Sequence, residues 1–233
     1  MTRKFFDCKT IVIYVLIITL FLTVGLIGNH SLSAFSTELK PSRTVVIDAG
    51  HGGVDCGAVS CTGIYESSIN LEIALKLNDL MHLLGIRTVM IRDTDRSVYT
   101  QGETIAAKKV SDIKERIRIT NTTPNGLLIS IHQNYFPDSR YSGVQVFYNS
   151  QHGSKELAAQ LQSEFRTVLS PNNKRQIKKA SDIYLMDHIQ CEGILVECGF
   201  LSNPEEEAML RRNVYQQKLS AVIAAKVSQY LNT

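Results

Sequence analysis

The chain reads RTVVIDAGHGG from Arg43 to Gly53, so a run of β-branched residues passes directly into a glycine-rich loop. Because β-branched residues favour extended backbone and glycines end it, a strand is expected over Arg43–Asp48. Apolar residues then recur at helical spacing over Ile69–Leu84, with a serine at position 67 or 68 as the N-cap and Gly85 at the end. A strand followed by a helix is the repeating unit of α/β proteins.

The same alternation continues to the end of the chain. Further strands are expected at Ile86–Ile91, Leu127–His132, Val144–Tyr148, Ile183–Met186 and Gly193–Glu197. Further helices are expected at Glu103–Thr120, Ser154–Leu169, from Asn203-Pro204-Glu205 onward and at Val214–Leu231. The sequence therefore predicts an α/β fold in one domain, with a mostly parallel central sheet of about six strands flanked by helices.

The composition is that of an ordinary globular protein. The 233 residues are 44% hydrophobic and 20% charged, and 25 Lys and Arg stand against 22 Asp and Glu, for a net charge of +3. This balance excludes an acidic disordered chain. It also lacks the concentrated basic face of a nucleic-acid-binding protein, so no nucleic-acid partner is expected.

The N-terminus predicts export. Residues 1–10 are basic, and residues 11–28 contain no charge over eighteen positions. As a helix this segment would reach ~27 Å, close to the thickness of a hydrocarbon core. The basic flank is expected in the cytosol, and the remainder outside it. Whether residues 11–28 form a retained signal anchor or a cleaved signal peptide is open. Residues 29–42 are interpreted as a linker to a domain at 43–233.

Cysteine use leaves two alternatives open. Cys56, Cys61, Cys191 and Cys198 lie in the exported part and could form two disulfides or stay free thiols. No Cys-x-x-Cys pair occurs, which gives no support to a zinc ribbon or a thioredoxin-type site. Beside Glu197, Cys198 is interpreted as buried packing, with sensitivity to oxidation as the alternative.

Polar residues of matching chemistry follow three predicted strands. His51, His132 and Glu197 stand at strand ends, and Glu66 precedes the first helix close to the loop of His51. Loops at the carboxyl ends of strands converge on one point in α/β sheets. Two histidines, one carboxylate and an open position form a hydrolytic zinc site, and a second carboxylate can carry protons. Hydrogen-bonded loop residues are the alternative interpretation of the same side chains.

The remaining candidates favour plainer interpretations. The histidines at positions 30, 82, 152 and 188 are expected on the surface. Gly50, Gly52 and Gly53 are not followed by Lys-Ser or Lys-Thr, so a phosphate-binding loop has weak support. The basic residues of 174–179 are interpreted as a solvated loop, with a carboxylate-bearing substrate as the alternative ligand.

Several blocks, in order, resemble the zinc-dependent N-acetylmuramoyl-L-alanine amidases of catalytic type 3. Together they run from about Arg43 to Tyr230. They are Asp48-Ala49-Gly50-His51-Gly52-Gly53 with Gly57-Ala58, then Glu66 with Asn70-Leu71, Leu80, Gly85 and Arg92-Asp93, then Arg116 with Thr120-Asn121, then Ser130-Ile131-His132-Gln133-Asn134, and finally Glu197-Cys198-Gly199-Phe200-Leu201-Ser202-Asn203. Ala49 and Cys56 stand where proline is common in the family.

The resemblance implies one zinc ion per chain, held by His51, Glu66 and His132, with Glu197 as the catalytic carboxylate. It implies hydrolysis of the amide between the lactyl group of N-acetylmuramic acid and L-alanine in peptidoglycan. Zinc would polarise the amide and hold the attacking water, and Glu197 would pass the water proton to the leaving amine. Asn134 is a weaker candidate for orienting the substrate.

A single amidase domain behind a hydrophobic segment resembles the spore-cortex members of the family. These remove stem peptides as the first step toward muramic-δ-lactam, which implies a role in sporulation and germination and a place between the forespore membranes. A general autolytic amidase of the cell wall and a non-catalytic peptidoglycan-binding module are the alternatives. The need for an accessory extracytoplasmic protein is open.

Overall fold

A six-stranded sheet forms the centre of the structure, a computed structural model that describes residues 43–232. The strands are β1 (Thr44–Ala49), β2 (Arg87–Met90), β3 (Gly126–Asn134), β4 (Gln145–Tyr148), β5 (Lys178–Lys179) and β6 (Glu192–Phe200). Their order across the sheet is β2-β1-β3-β6-β4-β5. Only the pairing of β4 with β6 is antiparallel, so the predicted mostly parallel sheet is confirmed.

Helices cover both faces of this sheet. They are α1 (Glu66–Leu83), α2 (Ile105–Thr122), α3 (Ser154–Val168), α4 (Tyr184–His188), α5 (Pro204–Leu210) and α6 (Asn213–Leu231). The larger apolar layer packs α1, α3 and α6 on one face, with Ile73, Phe165 and Ile223 fully buried. The smaller layer packs α2 and α4 on the other face. Because both faces are covered, the central strand β3 is apolar almost throughout.

Two details of the predicted elements are wrong. Residues Ile183–Met186 do not form a strand, because α4 begins at Tyr184 and buries Leu185 and Met186 against the sheet. A short apolar run fits a helical turn as well as a strand, so periodicity alone could not decide between them. The first helix starts at Glu66, and its N-cap is Tyr65 rather than a serine. The predicted end of the first helix before Gly85 is confirmed, and so is the helix expected from Asn203-Pro204-Glu205 onward, which begins at Pro204 with Asn203 as its N-cap.

The predicted hydrophobic segment at residues 11–28 lies outside the described residues and stays a prediction. Within residues 43–232, no helix has both the length and the apolar character to cross a membrane.

The four cysteines of the described part of the chain form no disulfide with one another. Cys56, Cys61, Cys191 and Cys198 are all free thiols there. Cys198 is buried in the larger apolar layer, as its interpretation as a packing residue requires. Burial raises the pKa of the Cys198 thiol, so the thiol stays protonated and unreactive at neutral pH.

A buried ion pair fixes the carboxyl end of β1. Arg116 of α2 pairs with Asp48, whose other oxygen accepts a hydrogen bond from the Ser130 hydroxyl at 2.7 Å. Burial opposes ionisation of Asp48, but the guanidinium and the hydroxyl outweigh it and hold the pKa of Asp48 below its usual value. The pair therefore ties α2 to the strand end that carries the glycine-rich loop.

The substitution Asp48→Asn is expected to lower the free energy of unfolding by up to about 3–5 kcal/mol at pH 7, because it removes the buried carboxylate that faces Arg116 and leaves the guanidinium paired with Asp112 alone. The folded-state pKa of Asp48 lies below the unfolded value of about 3.9. The contribution is therefore complete above that pH, and it disappears as the pH falls through the folded-state pKa. Urea denaturation of both proteins between pH 7 and pH 3 measures the difference.

As a matched control, Asp138→Asn removes a carboxylate whose Arg140 partner is exposed. This variant should unfold at the same urea concentration as the wild type. Equal stability of the Asp48→Asn variant and the wild type at pH 7 would contradict a structural role for the buried pair.

Candidate metal centre

Three neighbouring strands bring the predicted site residues to one edge of the sheet. In the parallel register Ala49 lies beside Ile131, and His132 lies beside Glu197. His51 is the second residue after β1, and Glu66 is the first residue of α1. The structure thus brings together the four side chains that the sequence selected, although they are up to 146 positions apart in the chain.

The loop after β1 is held in an unusual conformation. His51 has a φ of 60°, in the left-handed region that non-glycine residues rarely adopt. Arg116 Nη2 donates to the His51 carbonyl at 2.7 Å, and Arg92 Nη2 donates to the Gly50 carbonyl at 3.0 Å. Both guanidinium groups are buried, so they fix the loop backbone from the protein interior.

Gly50 is needed because the His132 imidazole lies against it. A Cβ atom at position 50 would come within 2.2 Å of the imidazole atoms Cε1 and Nε2 of His132. Only a residue without a side chain lets the two strand ends approach this closely.

His51, Glu66 and His132 form a compact cluster of donor atoms. Glu66 Oε1 lies 3.0 Å from His132 Nδ1, and Glu66 Oε2 lies 3.3 Å from His51 Nε2. One donor atom of each residue lies within 4.8 Å of the others. Burial raises the pKa of the Glu66 carboxyl, but the two imidazoles outweigh it and lower the pKa far below its usual value. Glu66 is therefore a carboxylate at all working pH values.

Backbone and side-chain donors fix the Glu66 carboxylate. Its Oε2 accepts from the Ala58 amide at 3.0 Å, and its Oε1 accepts from the Gln133 amide at 3.1 Å. The side-chain Nδ2 of Asn70 donates to Oε1 at 3.2 Å and to the Gly50 carbonyl at 3.1 Å. The start of α1 also favours a negative charge at this position. The carboxylate is thus oriented before any ligand binds.

Asp55 orients the imidazole of His51, a role that the sequence reasoning missed. Asp55 Oδ2 lies 2.8 Å from His51 Nδ1, and Asp55 Oδ1 pairs with Lys109 Nζ at 2.8 Å. Burial lowers the pKa of His51, but the hydrogen bonds to Asp55 and Glu66 outweigh it and raise the pKa to about 10. Asp55 holds the Nδ1 proton, so Nε2 is the nitrogen that would give up its proton to bind a metal. The available signal was an aspartate four residues after the histidine.

Glu197 occupies a different environment from Glu66. Its Oε2 is buried and has no hydrogen-bond partner among the described residues. Burial raises the pKa of Glu197 to about 7, with nearby His132 as a smaller opposing influence. A carboxyl group with this pKa can both accept and return a proton near neutral pH. The two carboxylates are therefore separated in chemistry, one fixed as an anion and one able to exchange protons.

The donor set fits a zinc ion. Two imidazoles and one carboxylate supply three ligands of the kinds that catalytic zinc prefers, and their donor atoms lie within 4.8 Å of one another. Asp55 supplies the outer carboxylate that zinc-binding histidines commonly contact. The unpartnered oxygen of Glu197 lies beside the cluster without joining it.

The other predicted residues are not members of this cluster. Asn134 ends β3, and its backbone carbonyl accepts from the Leu201 amide at 2.8 Å. No hydrogen bond of its side chain occurs within residues 43–232, so its role in orienting substrate stays a prediction. His82, His152 and His188 are exposed, as expected, and His30 lies outside the described residues.

Comparison with known proteins gives consistent matches. The family model described as N-acetylmuramoyl-L-alanine amidase matches residues 45–229. The germination-specific N-acetylmuramoyl-L-alanine amidase of Bacillus subtilis is 34% identical over 205 residues, which cover 87% of this chain and 85% of that protein.

Solved structures give the same result. The CwlD amidase of Clostridioides difficile, solved in complex with the GerS lipoprotein, is 36% identical with a TM-score of 0.79, covering 82% of this chain and 99% of that one. An N-acetylmuramoyl-L-alanine amidase of Clostridium difficile 630 is 32% identical with a TM-score of 0.72, covering 82% and 98%.

Replacing Asp55 by Asn is expected to weaken zinc binding by about 10- to 100-fold, because a neutral amide holds the Nδ1 proton of His51 more weakly and makes the imidazole a less basic ligand. Competition against a fluorescent zinc chelator measures the affinity of both proteins. Asp95→Asn is the control, since Asp95 accepts a hydrogen bond from the neighbouring Gly53 amide without touching His51. An Asp55→Asn variant with unchanged zinc affinity would rule out this positioning role.

Proposed function

The chain belongs to the N-acetylmuramoyl-L-alanine amidase family, and on that basis we propose that it uses one zinc ion to remove stem peptides from the peptidoglycan of the spore cortex. Its enzyme class is that of hydrolases which cut the amide between N-acetylmuramic acid and L-alanine. The proposal adds the metal, the residue roles and the substrate's location in the cell.

One observation carries the proposed chemistry. His51, Glu66 and His132 present donor atoms to one point, and Glu197 lies beside His132 across two paired strands. The ligand carboxylate is fixed as an anion by five hydrogen-bond or ion-pair contacts. The second carboxylate has a free, buried oxygen and a pKa of about 7. One carboxylate can thus bind a metal while the other moves a proton, and hydrolysis of an amide needs both a Lewis acid and a proton carrier.

In the proposed mechanism His51, Glu66 and His132 hold the metal. A bound zinc ion polarises the amide carbonyl and makes water a stronger nucleophile. Glu197 accepts the proton of the attacking water through its unpartnered oxygen. The C–N bond then breaks as Glu197 returns that proton to the nitrogen of L-alanine, which leaves as a neutral amine. Glu197 is thus ready for another cycle with no net change in its protonation.

The substitution Glu197→Gln is expected to lower kcat by at least about 10²- to 10⁴-fold, because the amide cannot accept the water proton. Zinc content, measured by mass spectrometry of the metal, should stay at one ion per chain. Purified peptidoglycan is digested and the released stems with a free L-alanine amino group are identified by mass spectrometry. Glu205→Gln, an exposed residue of α5, serves as the control of equal charge change.

Three results would separate the possibilities. An inert Glu197→Gln variant that keeps its zinc supports the proposed roles. Full activity in that variant would exclude Glu197 as the proton carrier. A wild-type protein that cuts peptidoglycan without zinc would contradict the metal assignment.

The spore cortex is the proposed substrate, and an extracytoplasmic location follows from it. Support comes from the germination-specific relative of Bacillus subtilis and from CwlD. The alternative substrate is vegetative wall, as for an autolysin.

In a Bacillus subtilis strain that lacks the germination-specific relative, this chain is expected to restore muramic-δ-lactam to the cortex, measured by chromatography of muramidase digests. The Glu197→Gln variant is the control. Release of stems from vegetative wall, with no lactam restored, would favour the autolysin.

An accessory extracytoplasmic protein is proposed as a second partner. The support is the structure of CwlD with the GerS lipoprotein, a relative that matches 82% of this chain. The purified chain alone is therefore expected to cut cortex peptidoglycan slowly and to be accelerated by an extract of the producing cell's exported proteins. Equal rates with and without that extract would contradict the partner.

A further inference from the structure

A cavity lies between the loops that precede β4 and β5. Its volume is about 660 Å³. It is bounded by the loop at residues 140–143 before β4, by the loop at residues 169–175 before β5 and by Glu206 of α5. None of the residues assigned above to the metal or to proton transfer lines it. The cavity is therefore separate from the metal centre and needs its own explanation.

Arg175 is the fixed cation of this cavity. Its Nε donates to the Ser142 carbonyl at 2.7 Å, and its Nη1 donates to Gln145 Oε1 at 3.0 Å. Its guanidinium carbon lies 4.3 Å from the centre of the Phe200 ring. These contacts restrain the guanidinium plane in a way that a solvated surface arginine is not restrained. Less conformational entropy is then lost when the group binds an anion.

The loop that carries Arg175 is itself held firmly. The Asn173 side chain donates to the Val144 carbonyl at 2.8 Å and accepts from the Arg175 amide at 3.0 Å. Arg166 donates to the Arg175 carbonyl at 3.1 Å. Gly143 has a φ of 99°, and a Cβ atom there would lie 2.6 Å from Asn173 Oδ1. The two loops are thus packed together closely enough to keep Arg175 in position.

Part of the hydrogen-bonding capacity of Arg175 is unused. Within residues 43–232, its Nη2 has no acceptor, and no carboxylate lies within ion-pair distance of it, although the Glu206 carboxylate attracts its charge from farther away. The acidic residue of the lining, Glu206, is buried, and its two oxygens accept the Gly143 and Phe200 amides at 2.8 Å each. Lys174 adds a second, exposed positive charge. The cavity therefore offers a guanidinium edge to an anion.

The position of Arg175 relates it to the reacting bond. Gln145, which contacts Arg175, is the register partner of Glu197 on the neighbouring strand. Opposite residues of an antiparallel pair point to the same face of the sheet, so Glu197 and Gln145 lie side by side there, and Arg175 reaches Gln145 from the loop before β5. An extended peptide advances about 3.3–3.6 Å per residue. A stem peptide whose amide lies at Glu197 would thus bring its second residue close to Arg175.

We propose that this cavity is the subsite for a stem-peptide carboxylate and that Arg175 pairs with the α-carboxylate of the residue that follows L-alanine. The inference rests on the proposed amidase site and adds the residue that distinguishes stems by charge. A guanidinium group matches a carboxylate in geometry as well as in charge. The plain alternative is that Arg175 only ties the two loops together.

The test uses two synthetic ligands that differ in one group. They are N-acetylmuramoyl-L-alanyl-γ-D-glutamyl-L-lysine and its D-isoglutamine counterpart, in which a carboxamide replaces the α-carboxylate. Calorimetry measures their binding to the full chain carrying Glu197→Gln, which prevents hydrolysis. The carboxylate ligand is expected to bind about 10-fold or more tightly than the carboxamide, as for a hydrogen bond to a charged group.

Adding Arg175→Gln to that protein is expected to abolish the preference and to leave both ligands at the affinity of the carboxamide. Arg175→Lys should keep part of the preference, because it retains the charge without the fork of donors. Arg118→Gln, an exposed arginine paired with Glu115 on α2, should keep all of it. Thermal unfolding checks that each variant is folded. If Arg175→Gln does not fold, the ligand preference of Arg175→Lys decides the question.

Several results would overturn the inference. One is equal affinity for the two ligands, or no measurable binding of either, before Arg175 is changed. Another is an equal loss of affinity for both ligands in Arg175→Gln, which would show that Arg175 only holds the two loops together. The proposed function fails separately, if the chain with Glu197 intact binds the carboxylate ligand preferentially but does not cut it.

Discussion

Two buried arginines hold the backbone on which the metal centre depends. Arg116 and Arg92 come from different parts of the chain, yet both donate to carbonyls of the loop that follows β1. The Asp48 carboxylate compensates the charge of Arg116 inside the protein. With the loop fixed, His51 can keep its left-handed conformation and face Glu66 and His132. Burying a charge is unfavourable. Two buried guanidinium groups at this place indicate that a fixed loop conformation is worth that cost.

Most of the fold could be predicted from sequence because its signals are local. The β-branched run before Asp48 and the buried apolar run of β3 are strong indications of parallel strands. The error at Ile183–Met186 has a tertiary cause, since one turn of helix there buries the same two apolar side chains that a strand would bury. The edge strand at Lys178–Lys179 carries no apolar signal at all, because both residues are exposed and only backbone hydrogen bonds define it.

The candidate site divides in the same way. His51, His132 and Glu197 could be selected because strand ends in α/β folds converge, and Glu66 because it precedes the next helix. Asp55, Lys109 and Arg175 could not be selected with equal force. Their roles depend on distances across loops, such as the 2.8 Å contacts of Asp55 with His51 and with Lys109, which residue spacing does not encode. Sequence thus selected the candidate reacting groups, whereas the residues that support them could be found only from the coordinates.

In the proposed site, one zinc ion binds where His51, Glu66 and His132 meet, with Glu197 beside it and not bound to it. Anomalous diffraction from crystals of the zinc-loaded protein, recorded on both sides of the zinc absorption edge, tests this most directly. A single edge-dependent peak per chain is expected, at a zinc ion bonded to these three side chains at about 2.0–2.2 Å. The carboxylate of Glu197 should lie outside bonding distance. A peak that includes Glu197 as a ligand, or a peak elsewhere in the molecule, would contradict the account.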